Sequence, residues 1–207
     1  MSSDTMPAHE EFKQLRPSKS EVEAAIRTLI AYIDPDPRRE GLQDTPGRVL
    51  RAWDQFWASG WTQPTPHIKT FSDGASGYNE MLVVRGIPIY SHCEHHLAPF
   101  FGEAVIGYIP SQVKPEILGL SKFTRVANFF ARRLQVQERL TTQIGNYLSG
   151  LLHPVGLGVV IRCRHMCMES RGVERQGEVT VTSWLDGAIK EEDSARAEFF
   201  SLARETR

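Results

Sequence analysis

The sequence predicts an α+β fold, an antiparallel sheet with helices packed on one face, preceded by an N-terminal helical pair. Three observations carry this reading. Apolar residues recur at helical spacing near the start; β-branched and aromatic runs appear later as two separated pairs; and two longer helical patterns lie between those pairs. Helices, two strands, two helices, two strands and a helix is an order in which strands pair as neighbours and helices cover them.

Taken in order, Val22, Ala25, Ile26, Leu29, Ile30 and Ile33 mark a first helix with Ser18 or Ser20 as its cap, and "DPDPRREG" at 34–41 stops it. "DTPGRVLRAWDQFW" restarts helix, capped by Asp44 or Thr45, with Pro46 in the first turn, where a missing N–H costs nothing. "SDGASGYN" at 72–79 breaks the pattern. "MLVVRGIPIYSH" and "FFGEAVIGYIP" read as strands that flank "CEHHLAPF", which places that motif at a strand-to-strand connection. Leu120, Phe123, Val126, Ala127, Phe130 and Leu134 mark one core-facing helix, and Val136, Leu140, Ile144, Leu148 and Leu151 a second. "GLGVVIRCRHMCM" and "GEVTVTSWLDGAI" read as strands joined by "ESRGVERQ", and "DSARAEFFSLA" as a terminal helix.

A chain of 207 residues with 41% hydrophobic and 24% charged residues has ordinary globular usage. No apolar run approaches the roughly 20 residues of a membrane span, and the polar start lacks the apolar core of a secretory signal. A cytoplasmic protein with no membrane partner is the expectation. A net charge of −1 argues against bulk nucleic-acid binding. Three cysteines do not make a disulfide framework and read as ligands, reactive thiols or small buried residues.

Cys93 and His96 stand in C-x-x-H form, close enough for one turn to aim both at a metal ion. The remaining cysteines, Cys163 and Cys167, fall with His165 on one face of an expected strand, about 13 Å apart at about 3.3 Å per residue. Only one can join Cys93 and His96, and spacing leaves the choice open. Two cysteines and one histidine leave a fourth position for water, as in catalytic zinc, while His95, His92 or His165 could still close the site. "LGLSK" opens a helix with Ser121 as cap and Lys122 and Arg125 on one face, a workable phosphate site; Arg48 and Arg171 are further candidates. Gln137 and Glu138 set an amide beside a carboxylate, a pair able to read a guanine-type edge. Each of the basic features also suits a solvated helix face.

Together, "CEHHLAPFFG", "IGYIP", "LGLSKFTRV", "RRLQVQERLT", "GVVIRCRHMCMESRGV" and "VTVTS" resemble, in order, GTP cyclohydrolase I from about Pro37 to the C-terminus. The resemblance implies a zinc enzyme that converts GTP to 7,8-dihydroneopterin triphosphate with release of formate, the first step of folate or tetrahydrobiopterin synthesis. It implies that Cys93, His96 and Cys167 bind zinc, that His95, His165 and Ser121 move protons, and that Glu138 with Gln137 anchors the guanine-derived ring. Ser121, Lys122, Arg125, Arg171 and Arg48 match triphosphate contacts. Cys163 is left to packing. The family fold is the tunnelling fold, assembled as decamers of two face-to-face pentamers with sites shared between subunits. On this reading residues 1–18 form a flexible arm, 19–75 a helical region and 76–207 the catalytic domain. Arg164 and Glu169-Ser170 depart from the family's smaller or apolar residues. A related tunnelling-fold enzyme acting on a pterin or deazapurine, and a zinc-stabilised binding module, are the competing readings; spare histidines count against the latter.

Overall fold

The computed structural model describes residues 15–73 and 77–204. Most of the arm expected at 1–18, and the centre of the break at 72–79, lie outside the described residues. The chain divides into two compact units, 1–64 and 65–207.

In the first unit, helix α1 spans Lys19–Ile33 and starts with a capping box. The Ser18 hydroxyl accepts from the Glu21 amide at 3.3 Å, and the Glu21 carboxylate accepts from the Ser18 amide at 2.8 Å, so two N–H groups with no partner inside the helix are satisfied. The short α2, Glu40–Gln43, and α3, Thr45–Ala52, follow, with Pro46 in the first turn of α3. Asp44 precedes α3 without a side-chain capping bond; its carboxylate pairs instead with Arg48 at 3.0 Å.

The second unit carries β1 (Thr70–Phe71), β2 (Leu82–Cys93), β3 (Pro99–Ile109), β4 (Ile117–Leu118), α4 (Leu120–Ala131), β5 (Leu134–Gln135) and α5 (Gln137–Leu152). Then come β6 (Gly156–His165), α6 (Met166–Glu169), β7 (Thr180–Gly187), α7 (Ala188–Glu191) and α8 (Asp193–Leu202). Strands β5-β2-β3-β6-β7 form one sheet in that order, antiparallel except where β5 runs parallel to β2. Helices α4 and α5 cover one face. Phe123, Val126, Ala127 and Phe130 of α4 and Leu140, Ile144 and Leu148 of α5 are buried against Ile87, Ile89, Ala104, Ile106, Val159 and Ile161 of the sheet. Leu120 and Leu134, expected in that core, are exposed at the helix start and in β5.

A β-bulge sets the phase of β2. The pairing with β3 shifts between Val84 and Ile87, with Gly86 at φ 67°. Side chains alternate along a strand, so this extra residue keeps Leu82 and Val84 on the same face as Ile87 and Ile89 and carries Cys93 onto that face too.

The terminal helix takes the opposite face, where Val105 and Val160 point. Phe199 of α8 lies over Gly107 and Gly158, where an added Cβ would come within 2.9 and 2.7 Å of its ring. Phe199→Ala is expected to cost about 3–5 kcal/mol in denaturant unfolding, whereas Leu120→Ala on the surface should stay within about 0.5 kcal/mol.

Candidate metal centre and substrate site

Because β2, β5 and β6 run in one direction, their C-terminal ends lie together at one end of the sheet. Cys93 pairs with Gln135, and Phe100 at the start of β3 pairs with both Ser91 and His165. The connection from β2 to β3 is tight. The Cys93 amide donates to Ala98 O at 2.8 Å, and the Leu97 and His96 amides donate to Cys93 O at 2.8 and 3.3 Å. Leu97 closes this turn at φ 55°, a left-handed conformation that costs about 1–3 kcal/mol in a non-glycine residue and is tolerated only where its surroundings enforce it.

Where spacing predicts strand through Cys167, β6 ends at His165 and the chain turns into α6. The strand-based separation of Cys163 and Cys167 therefore does not apply. Cys163 stays in the sheet, 1% exposed, with its thiol pushed up to about 12 by burial and by the Glu103 carboxylate. Such a thiol is a neutral packing group. The α6 turn instead brings Cys167 to the β2–β3 connection, and the ligand atoms of Cys93, His96 and Cys167 lie within 4.8 Å of one another. One zinc ion can bridge that spacing, since it holds sulfur at about 2.3 Å and nitrogen at about 2.0–2.1 Å. Burial, and then the adjacent Cys93 thiol, push the Cys167 pKa up; a divalent cation between the two sulfurs reverses that repulsion. The triad is therefore chemically fit for zinc.

His95 lies outside the three-residue group, although its Nδ1 is 3.8 Å from Cys93 Sγ, the same distance as His96 Nδ1. His92 is buried in β2, and burial lowers its pKa, favouring the neutral ring.

The second part of the site is built on α5. His165 stacks on Phe100, ring centroids 4.8 Å apart at 10°, and its Nε2 is 2.8 Å from Gln137 Oε1. Burial lowers the His165 pKa while the Glu138 charge opposes that shift, which places Glu138 within electrostatic reach of the ring. The amide and carboxylate expected to act as a pair are divided. Glu138 is exposed, whereas Gln137 is 2% exposed with its side-chain amide bonded to Ile161 O, Thr180 O and Thr182 Oγ1.

Spacing gives no sign of two ion pairs that brace the site. Arg139 pairs with Glu94 and donates from Nε to Gln135 Oε1 at 3.0 Å, while the Glu94 amide donates to Gln135 O at 3.0 Å. Glu94 thus ties the metal-bearing turn to β5 and α5. Arg164 and Glu169 pair through two guanidinium nitrogens, Nε to Oε1 at 2.8 Å, so the two side chains satisfy each other across α6.

The basic residues of the second unit are not gathered in one place. Arg171 is exposed, and its charge reaches Cys167. Ser121, Lys122 and Arg125 lie on the first turns of α4, with Gly119, not Ser121, at the cap position. That end of α4 sits beside Tyr108: the Leu118 amide donates to the Tyr108 hydroxyl at 3.0 Å, and the rings of Phe123 and Tyr108 are 6.1 Å apart. Tyr108 pairs with Leu82, at the end of β2 opposite Cys93. The 12 residues of α4 alone separate the two ends by about 18 Å. Within one chain, therefore, Ser121 and Lys122 start α4 toward the end of the sheet away from the metal triad, with Arg125 one turn further along the helix. Arg48 belongs to the other unit, where it pairs with Asp44.

The sequence profile of GTP cyclohydrolase I matches residues 22–204. A GTP cyclohydrolase 1 of Janthinobacterium sp. (strain Marseille) is 56% identical over 180 residues, 86% of this chain and 89% of the relative. One of Nitrosospira multiformis is 55% identical over 176 residues, 84% and 90% of the two chains. One of Corynebacterium aurimucosum is 46% identical over 203 residues, covering 98% and 99%. A solved structure, archaeosine synthase QueF-Like in the apo form, overlaps 52% of this chain and 93% of that chain with a TM-score of 0.40 and 15% identity, too distant a likeness to carry an argument.

The triad makes a direct prediction for bound metal. Protein purified in zinc should hold close to one ion per chain by plasma mass spectrometry; Cys93→Ser and Cys167→Ser should lose it, and Cys163→Ser should keep it.

Proposed function

The chain belongs to the GTP cyclohydrolase I family, and from that premise we propose that it hydrolyses and rearranges GTP to 7,8-dihydroneopterin triphosphate, releasing formate, in the cytoplasm. The observation that carries this reading is the convergence of Cys93, His96 and Cys167 at the sheet end that also holds His165 and Glu138. Cys93, His96 and Cys167 would hold zinc, which when bound supplies Lewis-acid activation of water near neutral pH.

The chain's own groups then divide the work. The Glu138 carboxylate accepts from the ring N–H and exocyclic amine of guanine and fixes the base. His165, held against Phe100, moves a proton at the ring nitrogen as the five-membered ring opens and formate leaves. His95, outside the triad, serves the later proton transfers of sugar opening and ring closure with Ser121. Arg171, Lys122, Arg125 and Arg48 hold the triphosphate, which is not cleaved and so contributes positioning. Catalysis resides in the second unit, and the product enters folate or tetrahydrobiopterin synthesis.

The separation of Ser121, Lys122 and Arg125 from the triad supports a shared site, with the start of α4 supplied by another copy of the chain. The sheet also ends at β7, whose outer edge pairs with no other described strand and exposes Val181. A decamer of two pentamers with composite sites accommodates both features. No helix among the described residues is long and apolar enough to cross a membrane.

Purified protein given GTP should release formate and develop a pterin chromophore in equal amounts, and a chelator should abolish both. Formate release by a zinc-free Cys167→Ser protein would overturn the reading. Arg171→Ala should raise KM for GTP about 10–100-fold with kcat little changed, the loss expected for a charge-assisted contact. Light scattering should show a large oligomer; a fully active monomer contradicts the shared site.

A further inference from the structure

Gln137 sits in a buried polar network whose amide orientation the backbone carbonyls around it decide. Its Nε2 faces Ile161 O at 3.1 Å and Thr180 O at 3.0 Å. Carbonyl oxygens only accept, so the atom facing both must be the amide NH2, and the amide has a single possible orientation. The same nitrogen also lies 3.1 Å from Thr182 Oγ1. Thr141 donates its hydroxyl hydrogen to Gln137 O at 2.7 Å, so at the 2.6 Å contact between Thr141 and Thr182 the donor is Thr182. The two Nε2 hydrogens are thus shared among three acceptors, all on the sheet side of the amide.

The consequence falls on His165. With both Nε2 hydrogens of Gln137 directed into the sheet, its Oε1 can only accept, and the group 2.8 Å away is His165 Nε2. That nitrogen must carry the hydrogen. We propose that Gln137 is a positioning residue, which locks neutral His165 as the Nε2–H tautomer and leaves Nδ1 as the nitrogen that exchanges a proton with substrate. The part about substrate rests on the proposed reaction. Stacking on Phe100 fixes the ring plane, and Gln137 fixes which edge of the ring works. A side chain 2% exposed, with its nitrogen and oxygen both engaged inside the protein, is poorly placed to meet a guanine edge, so among the two side chains base recognition falls to Glu138.

The test is the nitrogen spectrum of His165 in the zinc-loaded oligomer. Histidine labelled with 15N, read by solid-state NMR under conditions where the ring is neutral and assigned by the signal lost in His165→Asn, should show a protonated Nε2 and a bare Nδ1. A protonated Nδ1 overturns the proposal without any variant being needed. Gln137→Met removes the acceptor at similar volume; it should mix the tautomers and lower kcat about 10–100-fold while KM for GTP stays within about threefold, the pattern of a lost orienting partner. An unchanged tautomer would sink the proposal, and a raised KM with unchanged kcat would overturn it by making Gln137 a base anchor. Wild-type protein with the Nε2–H tautomer but no formate release would refute the proposed reaction and leave the tautomer assignment standing.

Discussion

The structure depends on one geometric constraint: three candidate ligand atoms from two distant stretches of chain come within 4.8 Å of one another. Cys93 and His96 come from the turn after β2, and Cys167 from the turn after β6. The strand β3 between them pairs with both, so the registers Ser91 to Phe100 and Phe100 to His165 set how close the two turns approach. A one-residue slip in either ladder sends every side chain to the other face. The bulge at Val84–Ile87 is such a slip placed deliberately early, and it delivers Cys93 to the face where α5 begins.

Around the triad, rigidity comes from polar groups used internally. Glu94, beside the ligand Cys93, is bonded to Arg139 on α5, and Gln135 takes contacts from both. Gln137, two residues earlier on the same helix, is directed inward onto β6 and β7. Helix α5 thus anchors the metal turn with one side chain and the His165 ring with another, while presenting Glu138 outward. A helix whose inward face is filled by Leu140, Ile144 and Leu148 can hold such groups steady, because its position is fixed by apolar packing.

Much of this was legible in the sequence. The helical period of Phe123, Val126, Ala127 and Phe130 marks the core face of α4, because burial imposes that period directly, and the β-branched and aromatic runs mark β2, β3 and β6. The order of the motifs identifies the family, and the C-x-x-H motif marks Cys93 and His96 as two members of the group that could hold a metal ion. Other features depend on tertiary geometry that spacing does not encode. Nothing in "RCRHMCMES" marks the end of β6 at His165, so the choice between Cys163 and Cys167 stayed open on residues alone. The inward turn of Gln137 and the outward turn of Glu138 follow from the direction in which α5 leaves β5. Pairings such as Glu94 with Arg139 join residues whose proximity exists only after the sheet forms, and the space that Phe199 of α8 occupies on the far face is left by the glycines at 107 and 158, which the strand pattern does not distinguish.

The convergence of the three ligands is tested most directly by X-ray absorption at the zinc edge of the loaded protein. The geometry predicts a first shell with two sulfurs at about 2.3 Å and one imidazole nitrogen at about 2.0–2.1 Å, completed by a light atom. A shell with no sulfur, or with one sulfur among several nitrogens, would contradict a site built from Cys93, His96 and Cys167.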